Sequence, residues 1–287
     1  MDPTARPLPP LSTADGLSLQ GVAWLPAMAA GRGSVLIVHG LGEHIGRYAG
    51  LAARLNASGW AVSGFDQRGH GRSAGPRGGL AHADDLLRDL ALAIAATRAA
   101  RPGPLVLLGH SMGGLVAARF VAEGLQAQPA AWHCAVDALV LSSPALDPGM
   151  NAGQKLLLAA LGGLAPGLAV GNGLKPGWIS RDPAVVAAYV SDPLVHDRVT
   201  PRLVRFILDG GELVRTVAPR WTVPTLLLWA GSDRCVAPAG SAAFAAAAPA
   251  NIVRSQMFAP LFHEIFNEPE KEAVFAALDA WLAERGQ

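Results

Sequence analysis

Three short stretches of this 287-residue chain carry residue types that could do chemistry together. Gly109-His110-Ser111-Met112-Gly113-Gly114 holds a serine between small residues, Gly231-Ser232-Asp233 ends in an acid, and Phe262-His263-Glu264 carries a base. A serine hydroxyl is a weak nucleophile at neutral pH. It attacks a carbonyl when a general base takes its proton and an acid orients that base. Serine, acid, histidine is also the chain order that goes with a small-x-Ser-x-small turn between a strand and a helix. Ser111 is therefore the candidate nucleophile, His263 the general base and then acid, and Asp233 the group that holds the imidazolium.

The turn itself has a physical logic. Leu105 to Leu108 is an apolar run without helical spacing and reads as a buried strand, while Leu115 to Phe120 reads as a helix body. The serine between them must adopt a strained backbone, and a Cβ at Gly109 or Gly113 would collide with the adjoining strand or helix. The Met112 N–H, at the helix N-terminus, then faces a developing oxyanion. A second donor is required. The loop His39-Gly40-Leu41-Gly42 follows another apolar run, Val35 to Val38, and can supply the Leu41 N–H, with Gly40 and Gly42 allowing close backbone approach.

Rival residues are present. The other histidines are His39, His44, His70, His82, His110, His133 and His196. His39, His70 and His110 sit in turns at strand ends and are expected to be structural. Asp197 and Asp209 follow no strand. The loops around Gly40 and Gly69 superficially suggest phosphate binding, but the spacing Gly-x-Gly-x-x-Gly is not met and no lysine completes a P-loop. No histidine, cysteine and carboxylate spacing resembles a metal site. The expectation is chemistry without a cofactor.

The elements that must position these residues follow from periodicity. Short apolar runs alternate with amphipathic stretches over 47–56, 82–100, 201–217, 239–248 and 270–284. That alternation implies an α/β fold with a mostly parallel sheet covered on both faces, and ligand chemistry at the carboxyl ends of its strands. Asp15-Gly16 signals a hairpin turn, and residues 1–12, Pro-rich, read as a loose lead-in. Residues 145–195 interrupt the alternation and read as an insertion. Their longest uncharged run, Leu156 to Leu174, contains five glycines and Pro166, which argues against a membrane helix. A hydrophobic content of 51% suits a large core, and a net charge of +1 gives no reason to expect nucleic acid as a partner. Two distant cysteines, Cys134 and Cys235, make no disulfide framework. With no apolar h-region near Met1, the expected location is cytoplasmic.

Taken in order, His39 to His44 with Arg47-Tyr48, Phe65 to Ser73, Gly109 to Gly114, Leu141 to Leu146, Gly231 to Asp233 and His263 to Glu268 resemble the monoacylglycerol lipase and lysophospholipase branch of the α/β-hydrolases. The resemblance runs from about residue 13 to 285. It implies an eight-stranded-type sheet flanked by helices, with a hydrolase core over 13–145 and 201–287 and a cap inserted over 146–200. It implies that Gly40, Glu43 and Arg47 line the polar end of the pocket, where a glycerol-like group would sit. An i, i+4 ion pair of Glu43 with Arg47 that only stabilises the helix start is the alternative. Leu156, Leu157, Leu158, Leu161, Leu164 and Leu168 give the cap an apolar character suited to acyl chains, to transient contact with lipid surfaces or to a dimer surface; the oligomeric state stays open. The cap sequence departs from the family's pattern.

The expected activity is hydrolysis of monoacylglycerols or similar acyl esters. The same triad would serve a lysophospholipid, a thioester, an amide or a polyester oligomer, and an intact pocket without catalysis would serve recognition. Serine in place of aspartate at the nucleophile position disfavours epoxide hydrolysis and dehalogenation.

Overall fold

The computed structural model describes residues 5–26 and 31–285. The chain begins with β1 (Arg6–Ser12), β2 (Ser18–Trp24) and β3 (Ser34–Val38), then α1 (Ala49–Ala57), β4 (Ala61–Phe65) and α2 (Asp85–Ala100). Next come β5 (Leu105–His110), α3 (Ser111–Glu123) and β6 (Ala138–Ser142). A segment carrying α4 (Ala152–Leu164), β7 (Val170–Gly171), α5 (Pro183–Ser191) and β8 (Arg198–Val199) follows. The chain closes with α6 (Pro201–Val217), β9 (Thr225–Ala230), α7 (Pro238–Ala247), β10 (Val253–Phe258) and α8 (Lys271–Ala283).

Eight strands form one sheet in the order β1-β2-β4-β3-β5-β6-β9-β10. From β4 to β10 every pairing is parallel; β1 and β2 are antiparallel additions at one edge. Alternation along the central strands divides the core. Leu36, Leu107, Leu139, Leu141 and Leu227 pack toward α2, α3, α6 and α7. Val35, Ile37, Val106, Leu108, Leu226 and Leu228 pack toward α1 and α8, where Leu51, Leu55 and Trp281 are buried. Strands buried on both faces are what a parallel sheet requires, and they are why these runs carry no polar alternation.

One expectation is corrected. Within the Pro-rich lead-in, Arg6–Ser12 is not loose; it pairs with β2, Leu8 opposite Gly21 and Leu11 opposite Leu19. The register shifts between Leu8 and Leu11, around Pro9 and Pro10. Proline cannot donate to a ladder, and an edge strand with a bulge is where it is tolerated. Residues 1–4 lie outside the described residues.

The segment from α4 to β8 adds no strand to the main sheet. β7 and β8 pair with each other alone. Its residues instead line a cavity together with Ser111 and His263, at the carboxyl ends of the parallel strands.

Candidate active site

Ser111 is the first residue of α3, directly after β5, and its φ is +55°. A side chain rarely adopts that conformation, and the neighbours explain how it is held. A Cβ added at Gly109 would meet the Gly113 carbonyl oxygen at 2.5 Å, and one at Gly113 would sit inside the Val38 carbonyl. Only glycine lets strand, helix and the adjoining β3 approach this closely.

Asp233 lies just beyond β9. Its Oδ1 accepts the backbone N–H of Cys235 at 2.8 Å and of Val236 at 3.1 Å. That leaves Oδ2 for His263 Nδ1, 2.7 Å away. His263 follows β10, and its Nε2 is 2.8 Å from Ser111 Oγ. With the imidazole proton on Nδ1 donating to Asp233, Nε2 is free to accept the serine hydroxyl. The structure thus brings all three sequence-predicted residues into one hydrogen-bonded chain.

Electrostatics favour that chain. Burial disfavours a charge on His263, yet the carboxylates of Asp233, Glu264 and Glu43 outweigh it and hold its pKa above the usual histidine value. Burial would likewise raise Asp233, but His263 and the two backbone amides hold it below the ordinary carboxylate value. Cys235, beside Asp233, was not foreseen from sequence. Asp233, Cys235 and His263 offer ligand-type atoms within 4.8 Å of one another. A metal there would have to break the Asp233–His263 hydrogen bond, and burial together with the Asp233 charge pushes the Cys235 thiol up, keeping it protonated. This donor set fits an orienting acid and its base better than a metal.

The Gly40–Leu41 loop lies against the serine: a Cβ at Gly40 would be 3.1 Å from Ser111 Cβ. Met112 is the second residue of α3, in the turn whose amides have no intrahelical acceptor. His39 fixes the loop, accepting the Gln67 N–H on Nε2 at 2.9 Å and donating from Nδ1 to the Gly40 carbonyl at 2.8 Å. Burial lowers the pKa of His39 and His70, and of His110 to about 3, so these three stay neutral. His110 sits 3.1 Å from Ser142 Oγ, its ring 4.7 Å from that of His263.

Glu43 and Arg47 form the i, i+4 pair, Arg47 Nη1 to Glu43 Oε2 at 2.6 Å, and both also line the cavity with Gly40. The other oxygen of Glu43 accepts the Gly40 N–H and the Tyr48 hydroxyl, each at 2.6 Å. Burial would raise the Glu43 pKa; Arg47 and its other neighbours outweigh that and lower it to about 2. Arg47 forks onto Glu264 at 2.7 and 2.8 Å and lies over the Tyr189 ring, 4.8 Å from its centroid. Tyr48 and Glu264 stood in the stretches that carry the resemblance but were given no role from sequence, and Tyr189 was missed. The cavity above Ser111 has a volume of about 340 Å³, within the usual range for small-molecule sites. Leu174, Ile179, Val190 and Val195 contribute apolar wall to it.

Sheet order, the strained turn and the Ser111–His263–Asp233 chain define an α/β-hydrolase fold with a serine nucleophile geometry. The family model described as serine aminopeptidase, S33, matches residues 29–270, and the chain belongs to that family. It is 35% identical over 255 residues to a monoacylglycerol lipase of Mycolicibacterium smegmatis, covering 88% of each chain. It is 32% identical over 250 residues to the phospholipase YtpA of Bacillus subtilis, covering 86% of this chain and 93% of that one. The crystal structure of a monoacylglycerol lipase of Paleococcus ferrophilus superposes with a TM-score of 0.80 at 34% identity, over 93% of this chain and 99% of the other.

Proposed function

We propose that this protein is a carboxylic ester hydrolase that cleaves monoacylglycerols through a Ser111–His263–Asp233 acyl-enzyme mechanism. The observation that carries the reading is the continuous hydrogen-bonded chain from Asp233 through His263 to Ser111 Oγ at the floor of a cavity with apolar walls. Similarity to monoacylglycerol lipases over most of the chain supports the ester class.

His263 takes the Ser111 proton as Oγ attacks the ester carbonyl. The Leu41 and Met112 N–H groups hold the oxyanion, each lowering the barrier by about 3 kcal/mol. The imidazolium then protonates the leaving glycerol. Water, deprotonated by His263, attacks the acyl-enzyme, and the fatty acid leaves with Ser111 restored. Residues 146–200 serve as the cap that receives the acyl chain, and its exposed leucines make transient contact with lipid surfaces. Gly40, Glu43 and Arg47 bound the head-group end. Two free thiols, Cys134 and Cys235, fit a cytoplasmic setting.

A lysophospholipid is the second reading, favoured by the likeness to a phospholipase. At the Gly40 end charge argues for the neutral substrate: Arg47 is already engaged by Glu43 and Glu264, so a phosphate there would meet two carboxylates. The cation that would serve a phosphate is Lys175, which lines the cavity from the cap side and lies over the Trp178 ring. The test compares wild type with Ser111→Ala on monoolein, p-nitrophenyl esters and lysophosphatidylcholine. Monoolein turnover that vanishes in the variant is the expected result. Turnover retained by Ser111→Ala overturns the mechanism, and preference for lysophosphatidylcholine overturns the substrate.

A further inference from the structure

Three parts of the molecule must stay in register for Ser111 to react through His263: the histidine loop, the Gly40–Leu41 loop and the residues that roof the cavity. All three meet at one guanidinium. Arg47 donates to both oxygens of Glu264 at 2.7 and 2.8 Å and to Glu43 at 2.6 Å. Glu43 in turn takes the Gly40 N–H at 2.6 Å. The flat face of Arg47 lies over Tyr189 of α5. Glu264 is peptide-bonded to His263, and its own N–H donates to the Ile179 carbonyl at 2.8 Å. Asn267 Nδ2 donates to its Oε2 at 2.8 Å. Glu264 is buried.

One carboxylate neutralises an arginine; this buried cluster has two. The excess negative charge costs stability where it stands. It is useful to a neighbour that becomes positive twice in each turnover. The groups around His263 are Asp233 on Nδ1, Glu264 and Glu43 at longer range, neutral His110 against its ring, Cys235 beside Asp233, and Arg47 beyond the two glutamates.

We infer that Glu264 is a positioning residue: through Arg47 and Glu43 it locks the histidine loop to the oxyanion loop, and its charge steadies the His263 imidazolium. The inference rests on the hydrolase reading above. Glu264→Gln keeps the shape and removes the charge. On p-nitrophenyl butyrate kcat falls about tenfold through lost alignment, with KM little changed. The acid limb of kcat/KM moves to lower pH. The sign follows from the carboxylates: they favour imidazolium, catalysis needs neutral imidazole, and losing one lets the base survive further into acid. Arg47, left with one counter-charge fewer, pushes the same way. A purely structural role would lower the melting temperature and leave the acid limb in place.

Glu264→Asp keeps the charge on a shorter arm, so its acid limb stays at the wild-type pH while kcat falls. Arg47→Lys, which cannot fork, does the same. The pH dependence of Ser111 labelling by a fluorophosphonate reports the same base without any ester. A wild type that labels but turns over no ester would therefore sink the substrate reading and leave this test intact. An unchanged kcat and acid limb in Glu264→Gln overturns the inference.

Discussion

Floor and roof of the cavity are built on different terms. The floor rests on strand ends whose side chains beneath, Leu108, Leu141 and Leu228, are entirely buried, and on a turn in which glycine alone fits. The roof exposes apolar surface outward: Leu156 is 74% exposed and Leu164 86%. It is joined to the floor at its rim by polar stitches. His44 Nε2 and Asp192 are 2.8 Å apart, the His196 N–H reaches the Gly42 carbonyl at 2.8 Å, and Glu268 accepts from Ser180 and Arg181. Packing over-determines the floor, whereas the roof buries few apolar side chains, Leu158, Ile179 and Val199 among them, and is joined to the floor mainly by hydrogen bonds and ion pairs. In the function proposed above, the chemistry is fixed in the core and substrate choice falls to a segment that can change without disturbing that core.

The largest effect that tests this division belongs to the floor. Asp233→Asn keeps the shape but favours the wrong imidazole tautomer, so kcat should fall about 10,000-fold with the circular dichroism melt nearly unchanged. A variant with near wild-type turnover would show that the floor does not hold the chemistry.

Next in size is a stitch. Glu268 accepts Ser180 Oγ at 2.7 Å, the Arg181 N–H at 2.6 Å, Arg181 Nε at 2.7 Å and the Phe262 N–H at 2.8 Å. Glu268→Ala strands the buried Ser180 hydroxyl and leaves the more exposed donors of Arg181 and Phe262 to water, and should cost about 2 kcal/mol in urea unfolding. A loss below about 0.5 kcal/mol would mean that the roof is held by packing after all.

Titration separates the two regions more finely. The His263 pKa is raised, so its contribution to stability is complete below the unfolded value of about 6.5 and fades as pH rises through the folded value. Activity runs the opposite way, because the base must be neutral. The buried His39, His70 and His110, and half-buried His196 near 4, are depressed chiefly by burial. Each loses stability as pH falls through the unfolded value, since only the unfolded chain takes the proton there. His133 is lowered by burial too, and five such histidines outweigh one, so from pH 7 to 5 both the melting temperature and kcat/KM should fall. A melting temperature that rises over that window would contradict the depressed values.

What the sequence disclosed followed the same line. Gly109, Ser111 and Gly113 could be read because a strained turn restricts its own residues, and the strands because burial on both faces leaves unbroken apolar runs. Asp233 and His263 followed from strand ends and chain order. The Glu43–Arg47 pair was visible at helical spacing, but its third member, Glu264, lies 217 residues away from Arg47, and Asp192 lies 148 away from His44. Such pairings are set by how the roof sits on the sheet, and no local pattern encodes them. Cys235 was counted among the cysteines, yet nothing in its spacing marked it as a neighbour of Asp233. β1 was hidden by its prolines for the opposite reason: the local signal was strong, and tertiary pairing at a sheet edge overrode it.

The smallest effect on stability is the most telling for the roof. Of the six leucines singled out in the cap, Leu157 lies outside the described side chains, while Leu158 is buried and Leu156 and Leu164 face outward. Leu156→Ser and Leu164→Ser should each change stability by less than about 0.5 kcal/mol, whereas Leu158→Ser should cost about 2 kcal/mol or more. Turnover of dissolved p-nitrophenyl butyrate should not change in the two outward variants, because the floor is untouched. Monoolein presented in vesicles should be cleaved about tenfold more slowly, each lost leucine removing about 1.5 kcal/mol of contact with the lipid surface. Equal slowing on both substrates would mean these side chains shape the cavity from within. A wild-type light-scattering mass of two chains that drops to one in Leu164→Ser would assign the same surface to a second copy of the protein.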